Sequence, residues 1–238
     1  MSGEEVFVCD VTGVFSRGSF VRQWGSEDSG QGQFHYSHDV AVREGEVFVS
    51  DFSNQRIQVF GVDGSFARQW GTEGSGQGEL ICPGGVAVSN GEVLVSDLFN
   101  DRIQVFDVAG TFLRQWGTQG SGQGQLKYPR GLAVRGCDAN NHRVVVFGLD
   151  GSFVRQWGTE GSGEGQFNCH SDVVVNGDEV LVADLSNHRV QVFGLNGSFV
   201  RQWGEAGRGV GQFDSPLCIT VSEGEVFVGS CHRVQVFQ

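Results

Sequence analysis

The heptapeptide SFVRQWG occupies residues 19–25, and near copies follow as SFARQWG at 65–71, TFLRQWG at 111–117, and SFVRQWG at both 152–158 and 198–204. The five copies hold all five tryptophans, Trp24, Trp70, Trp116, Trp157 and Trp203, at intervals of 46, 46, 41 and 46 residues. Gly32, Gly78, Gly124, Gly165 and Gly211 of the GQF-like segments keep the same intervals, so the chain is built on a period of about 46 residues. The clearest unit runs from DVAV (39–42) through GEVFVSD (45–51) and RIQVF (56–60) to SFARQWG. Each piece is short, rich in Val, Ile and Phe, and bounded by Gly, Asp, Asn or Ser, the pattern of strands joined by turns. VDGS after Phe60 and LNGS after Phe193 carry tight hairpin signals. The unit therefore predicts a four-stranded antiparallel meander.

One such sheet leaves two apolar faces uncovered, whereas radial stacking of several covers both, so the expected fold is an all-β propeller. Each tryptophan then ends the outermost strand of its blade, where a large ring packs against the neighbouring blade. The string GQF-xx-P-xG-VAV, GEVFVSD, NQRIQVF and DGSFARQWG resembles the NHL repeat, and the resemblance spans essentially the whole chain. It implies a propeller, most often of six blades. It also implies protein or RNA recognition, as at the substrate-binding end of tripartite-motif ubiquitin ligases, although no RING or B-box sequence is present. One domain is expected over 1–238, with units at about 1–31, 32–77, 78–123, 124–164, 165–210 and 211–238 and incomplete blades at both ends. Six blades are favoured, and five result if the first fourth strand completes the last sheet. The third full unit, GLAVRGCDANNHRVVVF within 124–164, lacks about five residues where its neighbours read GEVFVS or DEVLVA, so RGCDANN must make a short crossing of that blade.

A formal charge of −12 opposes a nucleic-acid backbone or an anionic membrane. No apolar run approaches the roughly 18 residues that span a bilayer, and MSGEEVFVCD lacks the basic and apolar regions of a signal peptide, which predicts a cytoplasmic monomer. The six cysteines show no CxxC and no compact framework, the pattern of reduced thiols. No GxSxG, HExxH or Walker-type motif occurs, so a non-enzymatic chain without a cofactor is expected.

The set Asp51, Asn54, Arg56 recurs as Asp97, Asn100, Arg102, as Asp138, Asn141, Arg143 and as Asp184, Asn187, Arg189. Recurrence in every unit marks it as scaffold, with carboxylates closing turns and arginines bridging strands. Positions that break the repeat are better candidates for a site. His35, Tyr36, His38, Lys127, Tyr128, Arg130, His170 and Asp172 vary where the scaffold repeats, and they are the expected contacts for a protein or peptide partner on the loop face. Lys127, Tyr128 and Arg130 would also form the best RNA site, a reading the net charge disfavours. His38, Asp39, His170, Asp172 and Cys218 form a weaker candidate set for a metal at the mouth of a central channel, in the manner of propeller lyases that hold zinc with histidines.

Overall fold

The computed structural model describes residues 23–132, 136–138, 141–222, 224–230 and 233–238, with only the backbone described at 136–138 and Ser222. The strand-like EVFVCD at 5–10 lies outside them. Blade I contains β1 (Ser37–Arg43), β2 (Glu46–Asp51), β3 (Arg56–Gly61) and β4 (Phe66–Trp70). Blade II contains β5 (Pro83–Ser89), β6 (Glu92–Asp97), β7 (Arg102–Asp107) and β8 (Phe112–Trp116). Blade III contains β9 (Pro129–Leu132), β10 (Gly136–Asp138), β11 (Arg143–Phe147) and β12 (Phe153–Trp157). After a two-residue parallel pair, β13 (Thr159–Glu160) and β14 (Gln166–Phe167), blade IV contains β15 (Asp172–Asn176), β16 (Glu179–Asp184), β17 (Arg189–Gly194) and β18 (Phe199–Trp203). Sheet V holds β19 (Pro216–Ser222), β20 (Glu225–Ser230) and β21 (Arg233–Phe237).

Every blade is the expected antiparallel meander, with strands in sequence order. The first strands of successive blades pack side by side around the inside, and the tryptophan-bearing strands lie outermost. Among the described residues there are four complete blades and one three-stranded sheet, so the favoured count of six is not met. Only four full sets of strands lie between the terminal fragments. The crossing of blade III is the three-residue β10, half the length of β2, β6 and β16, and it pairs with both β9 and β11.

The tryptophans join neighbouring blades. Trp70 lies 5.8 Å from Phe106 of blade II, and Trp157 lies 5.8 Å from Phe193 of blade IV. The turn glycine of the next blade makes room for the ring. Gly110 has φ +93°, and a Cβ there would sit 2.7 Å from the Trp70 ring, so the residue supplies both the left-handed turn and the space.

The Asp-Asn-Arg set is scaffold, as its recurrence predicts. Asp97 is fully buried and accepts from Arg102 Nε at 2.7 Å, Asn100 Nδ2 at 2.8 Å, Gln104 Nε2 at 3.0 Å and the Ile81 amide at 2.8 Å. Arg102 also donates to the carbonyls of Ser75, Gly76 and Glu79, which ties the preceding glycine-rich linker to the blade. Asp51 and Asp184 repeat this pattern in blades I and IV.

Candidate functional site

The loops from the fourth strand to the next first strand, and from the second strand to the third, share one face of the ring. Tyr36, Cys82, Tyr128, Cys169 and Ser215 hold equivalent corners there, all left-handed, with φ between 52° and 58°. At the last four of these corners the backbone amide is held by a side chain of the preceding blade. Gln55 serves Cys82, Asp101 serves Tyr128 at 2.8 Å, and His142 and His188 serve Cys169 and Ser215 at 3.3 Å. The backbone thus carries the structural role, which leaves the side chains at these corners free to differ.

Three aromatic pairs stand on this face. His35 and Tyr36 lie 5.2 Å apart, His38 stacks on Phe52 at 5.5 Å, and Phe99 meets Tyr128 edge-on at 5.3 Å. Tyr36 is 63% exposed and Phe99 50%, while Lys127 is exposed beside Tyr128. Phe99 was not among the residues expected from sequence. Its signal is nonetheless there, because Ser53 and Ser186 occupy the equivalent positions of blades I and IV.

The other candidates, and His38 with them, lie on or beside the first strands at the inner rim of that face. His38 and Arg130 occupy equivalent positions on β1 and β9, and the Arg130 cation is felt at the His38 ring. The His38 ring is reached by solvent but walled by protein, and that desolvation, with the Arg130 cation second, lowers its pKa to about 4. One residue further along each strand, the ring reads Asp39, Gly85, Gly131, Asp172 and Cys218. Asp39 accepts from the Val86 amide of the next blade, and Asp172 from the Ile219 amide of sheet V, each at 2.9 Å. A Cβ at Gly131 would lie 2.7 Å from the Asp172 Cα, which accounts for the glycine.

Burial lifts Asp39 to about 7, opposed by its amide bonds to Val86 and Val40. Burial and then the Asp39 charge lift Asp172 to about 8. The Cys218 thiol is reached by solvent but walled by protein, and that desolvation pushes it up to about 11, with the charges of Asp172 and Asp39 adding to it. Sheet V therefore places Cys218 within the field of carboxylates from both blade IV and blade I.

These shifts give the pair a signed effect on stability. The folded chain keeps these protons up to pH 7–8, whereas an unfolded chain releases them near the ordinary value of 3.8, so the contribution is full at acid pH and is lost as pH rises through about 8. Stability measured by urea unfolding from pH 5 to pH 8 should fall more steeply in the wild type than in the Asp39→Asn, Asp172→Asn double variant. Equal slopes would show that the pair does not retain its protons.

His170 lies elsewhere. It takes the place of Pro83 and Pro129, which open β5 and β9, but precedes β15 by two residues; it is fully buried and packs 4.9 Å from Phe167. Burial and then the His142 charge lower its pKa to about 3, and neither ring nitrogen meets a side-chain or backbone group in a well-formed hydrogen bond, although the Arg143 backbone is close. An enclosed, neutral ring cannot meet a partner on the loop face, so that placement of His170 is corrected. Nor do the metal candidates converge, since no three His, Cys, Asp or Glu side chains among the described residues are grouped to hold an ion.

The NHL repeat family model matches residues 34–60 and 167–193, which run from the linker aromatic through the third strand of blades I and IV. The chain carries NHL repeats. No curated protein matches it in sequence. Among solved structures it resembles virginiamycin B lyase from Staphylococcus aureus, with a TM-score of 0.60 at 12% identity over 85% of this chain and 69% of that one. It also resembles a chain in the crystal structure of a nidogen/laminin complex, with a TM-score of 0.60 at 17% identity over 82% of this chain and 72% of that one. At such identities the likeness shows the propeller fold alone.

The lyase overturns the expectation that the NHL-repeat chain is not an enzyme. That expectation rested on missing contiguous motifs, but a propeller of this shape is an enzyme in virginiamycin B lyase. Loops from separate blades can assemble a site that leaves no such motif in the sequence. The likeness does not itself make this chain an enzyme.

Proposed function

We propose that this NHL propeller binds a protein or peptide through its loop face, with Tyr36, Phe99, Tyr128, His35 and Lys127 as the contacts. The observation that carries the reading is the set of exposed aromatic rings at corners where the repeat is broken, Tyr36 and Phe99 foremost. Large rings on a rigid scaffold supply contact area at little cost in conformational freedom, and they dominate the energetics of many interfaces. The likeness to a chain solved in a protein complex supports the same reading.

The ring that presents this face is proposed to close at five blades. Trp24 lies 5.8 Å from Phe60, the same relation that Trp70 bears to Phe106, so Trp24 behaves as the outer tryptophan of the blade before blade I. In a closed ring that blade is sheet V. Its third strand β21 leaves Val234 and Val236 exposed by 39% and 50%, whereas Ile57 and Val59 of β3 are fully buried. The shared field of Asp172 and Asp39 at Cys218 supports the same order.

Affinity capture from the native cell lysate tests the function. A Tyr36→Ala, Phe99→Ala, Tyr128→Ala variant should lose a wild-type partner by about tenfold or more in affinity while keeping its melting temperature. Undiminished capture by the folded variant would remove this face from consideration.

A further inference from the structure

In blades I, II and IV the residue that ends the second strand is a fully buried aspartate, and its carboxylate collects the same donors each time. For Asp51 these are the His35 amide at 2.8 Å, Asn54 Nδ2 at 3.0 Å, Arg56 Nε at 2.8 Å and Gln58 Nε2 at 3.1 Å. Sheet V departs from this pattern in three linked ways. Ser230 stands where the aspartate would be, and two residues instead of four separate it from the following arginine, Arg233. Position 208, a serine at the equivalent residues 29, 75, 121 and 162, is an arginine.

The donors have outlived their acceptor. Arg233 keeps its carbonyl partners, the Arg208 and Gln212 oxygens, and Gln235 donates to the Gln212 carbonyl at 2.6 Å as its counterparts do. The Arg233 Nε and the Asp214 amide, which in the sister blades point at the carboxylate, have no acceptor among the described residues. In place of the carboxylate there is an open cleft of about 300 Å³, lined by Arg208, Asp214, Ser230 and Arg233. The Arg208 guanidinium is 81% exposed and 3.6 Å from the Asp214 carboxylate, so two cations face one anion where each sister site is balanced.

We propose that this cleft is a binding site for an external carboxylate, which takes the position of the missing aspartate. Three of the four donors remain, the Arg233 guanidinium, the Gln235 amide and the Asp214 N–H, while the asparagine is gone with the shortened loop, and the sister blades fill that set with a carboxylate. Loss of the internal anion and gain of Arg208 both favour an anion from outside, and a guanidinium Nε beside a backbone amide suits a carboxylate oxygen. The source is a small organic acid or an acidic group on a bound peptide.

The test replaces sodium chloride with sodium acetate at fixed ionic strength and follows the melting temperature of the whole chain. A ligand of the folded state gives a rise that grows with concentration as the site fills. The wild type should show this, and Ser230→Asp, which restores the internal carboxylate, should weaken the apparent acetate affinity about tenfold or more. Arg208→Ser restores the sister residue at an exposed position and serves if Ser230→Asp does not fold. It should weaken acetate binding and leave the melting temperature in chloride unchanged. Acetyl-aspartyl-amide then separates the sources: binding tighter than acetate identifies a peptide ligand, and equal binding identifies a small acid. The proposal is overturned if acetate produces no saturable rise, if only inorganic phosphate does, or if both variants respond as the wild type.

Discussion

Replacing Asp97 with alanine is expected to lower the free energy of unfolding by about 3–5 kcal/mol, the range found when one partner of a buried ion pair is removed. The size follows from what is left behind. Arg102 has a side chain only 8% exposed, and without Asp97 its Nε, the Asn100 and Gln104 amides and the Ile81 N–H all lose an acceptor inside the protein. The carbonyls of Ser75, Gly76 and Glu79 still hold the guanidinium in place, so it cannot swing out to water without releasing the linker as well. Urea unfolding gives the comparison through the shift in midpoint at an unchanged slope. A loss below about 1 kcal/mol is the range of an exposed pair and would contradict the buried network.

The second large effect is expected at Phe193. Its ring is 1% exposed and lies 5.8 Å from Trp157 of blade III, 5.6 Å from Phe167 of the linker and 5.9 Å from Phe199 of its own blade. Phe193→Ala removes the common element of a joint between two blades, and it should cost about 3–5 kcal/mol, partly as lost transfer energy and partly as the cavity left behind. Phe99→Ala is the matched control. Half-exposed on the loop face, it should stay within about 0.5 kcal/mol of the wild type. Similar costs for the two substitutions would mean that the inter-blade joint is not where the stability resides.

Fold and site differed in how readily the sequence could be read. The repeat announced the meander because blades I, II and IV share the same turn glycines, the same buried aspartate and the same outer tryptophan, and these recur at fixed spacing. Blade count was harder to read, since it depends on which distant segments pair, and no local pattern encodes that. His170 misled for a related reason. A histidine in a variable loop reads as a surface group, yet its unit places it where others bury a proline, and only the packing of Phe167 reveals an enclosed ring. Phe99 and Ser230 were legible by the rule that picked out Tyr36, a break in an otherwise regular column. They were passed over because each column was read as scaffold once its recurring members had been explained. The inward pair Asp39 and Asp172 was visible as residues but not as a pair, because they come from blades I and IV and meet only around the axis.

The central claim is that recognition takes place on the loop face, and site-directed photo-cross-linking tests it most directly. A photoreactive phenylalanine analogue would replace Tyr36 or Phe99 on that face, or Val108, an exposed residue in a turn between third and fourth strands on the opposite face. Irradiation in the native lysate should join a partner protein to the probes at 36 and 99 and leave the probe at 108 unreacted. Cross-linking from position 108 alone would place the binding surface on the other side of the ring and contradict the account.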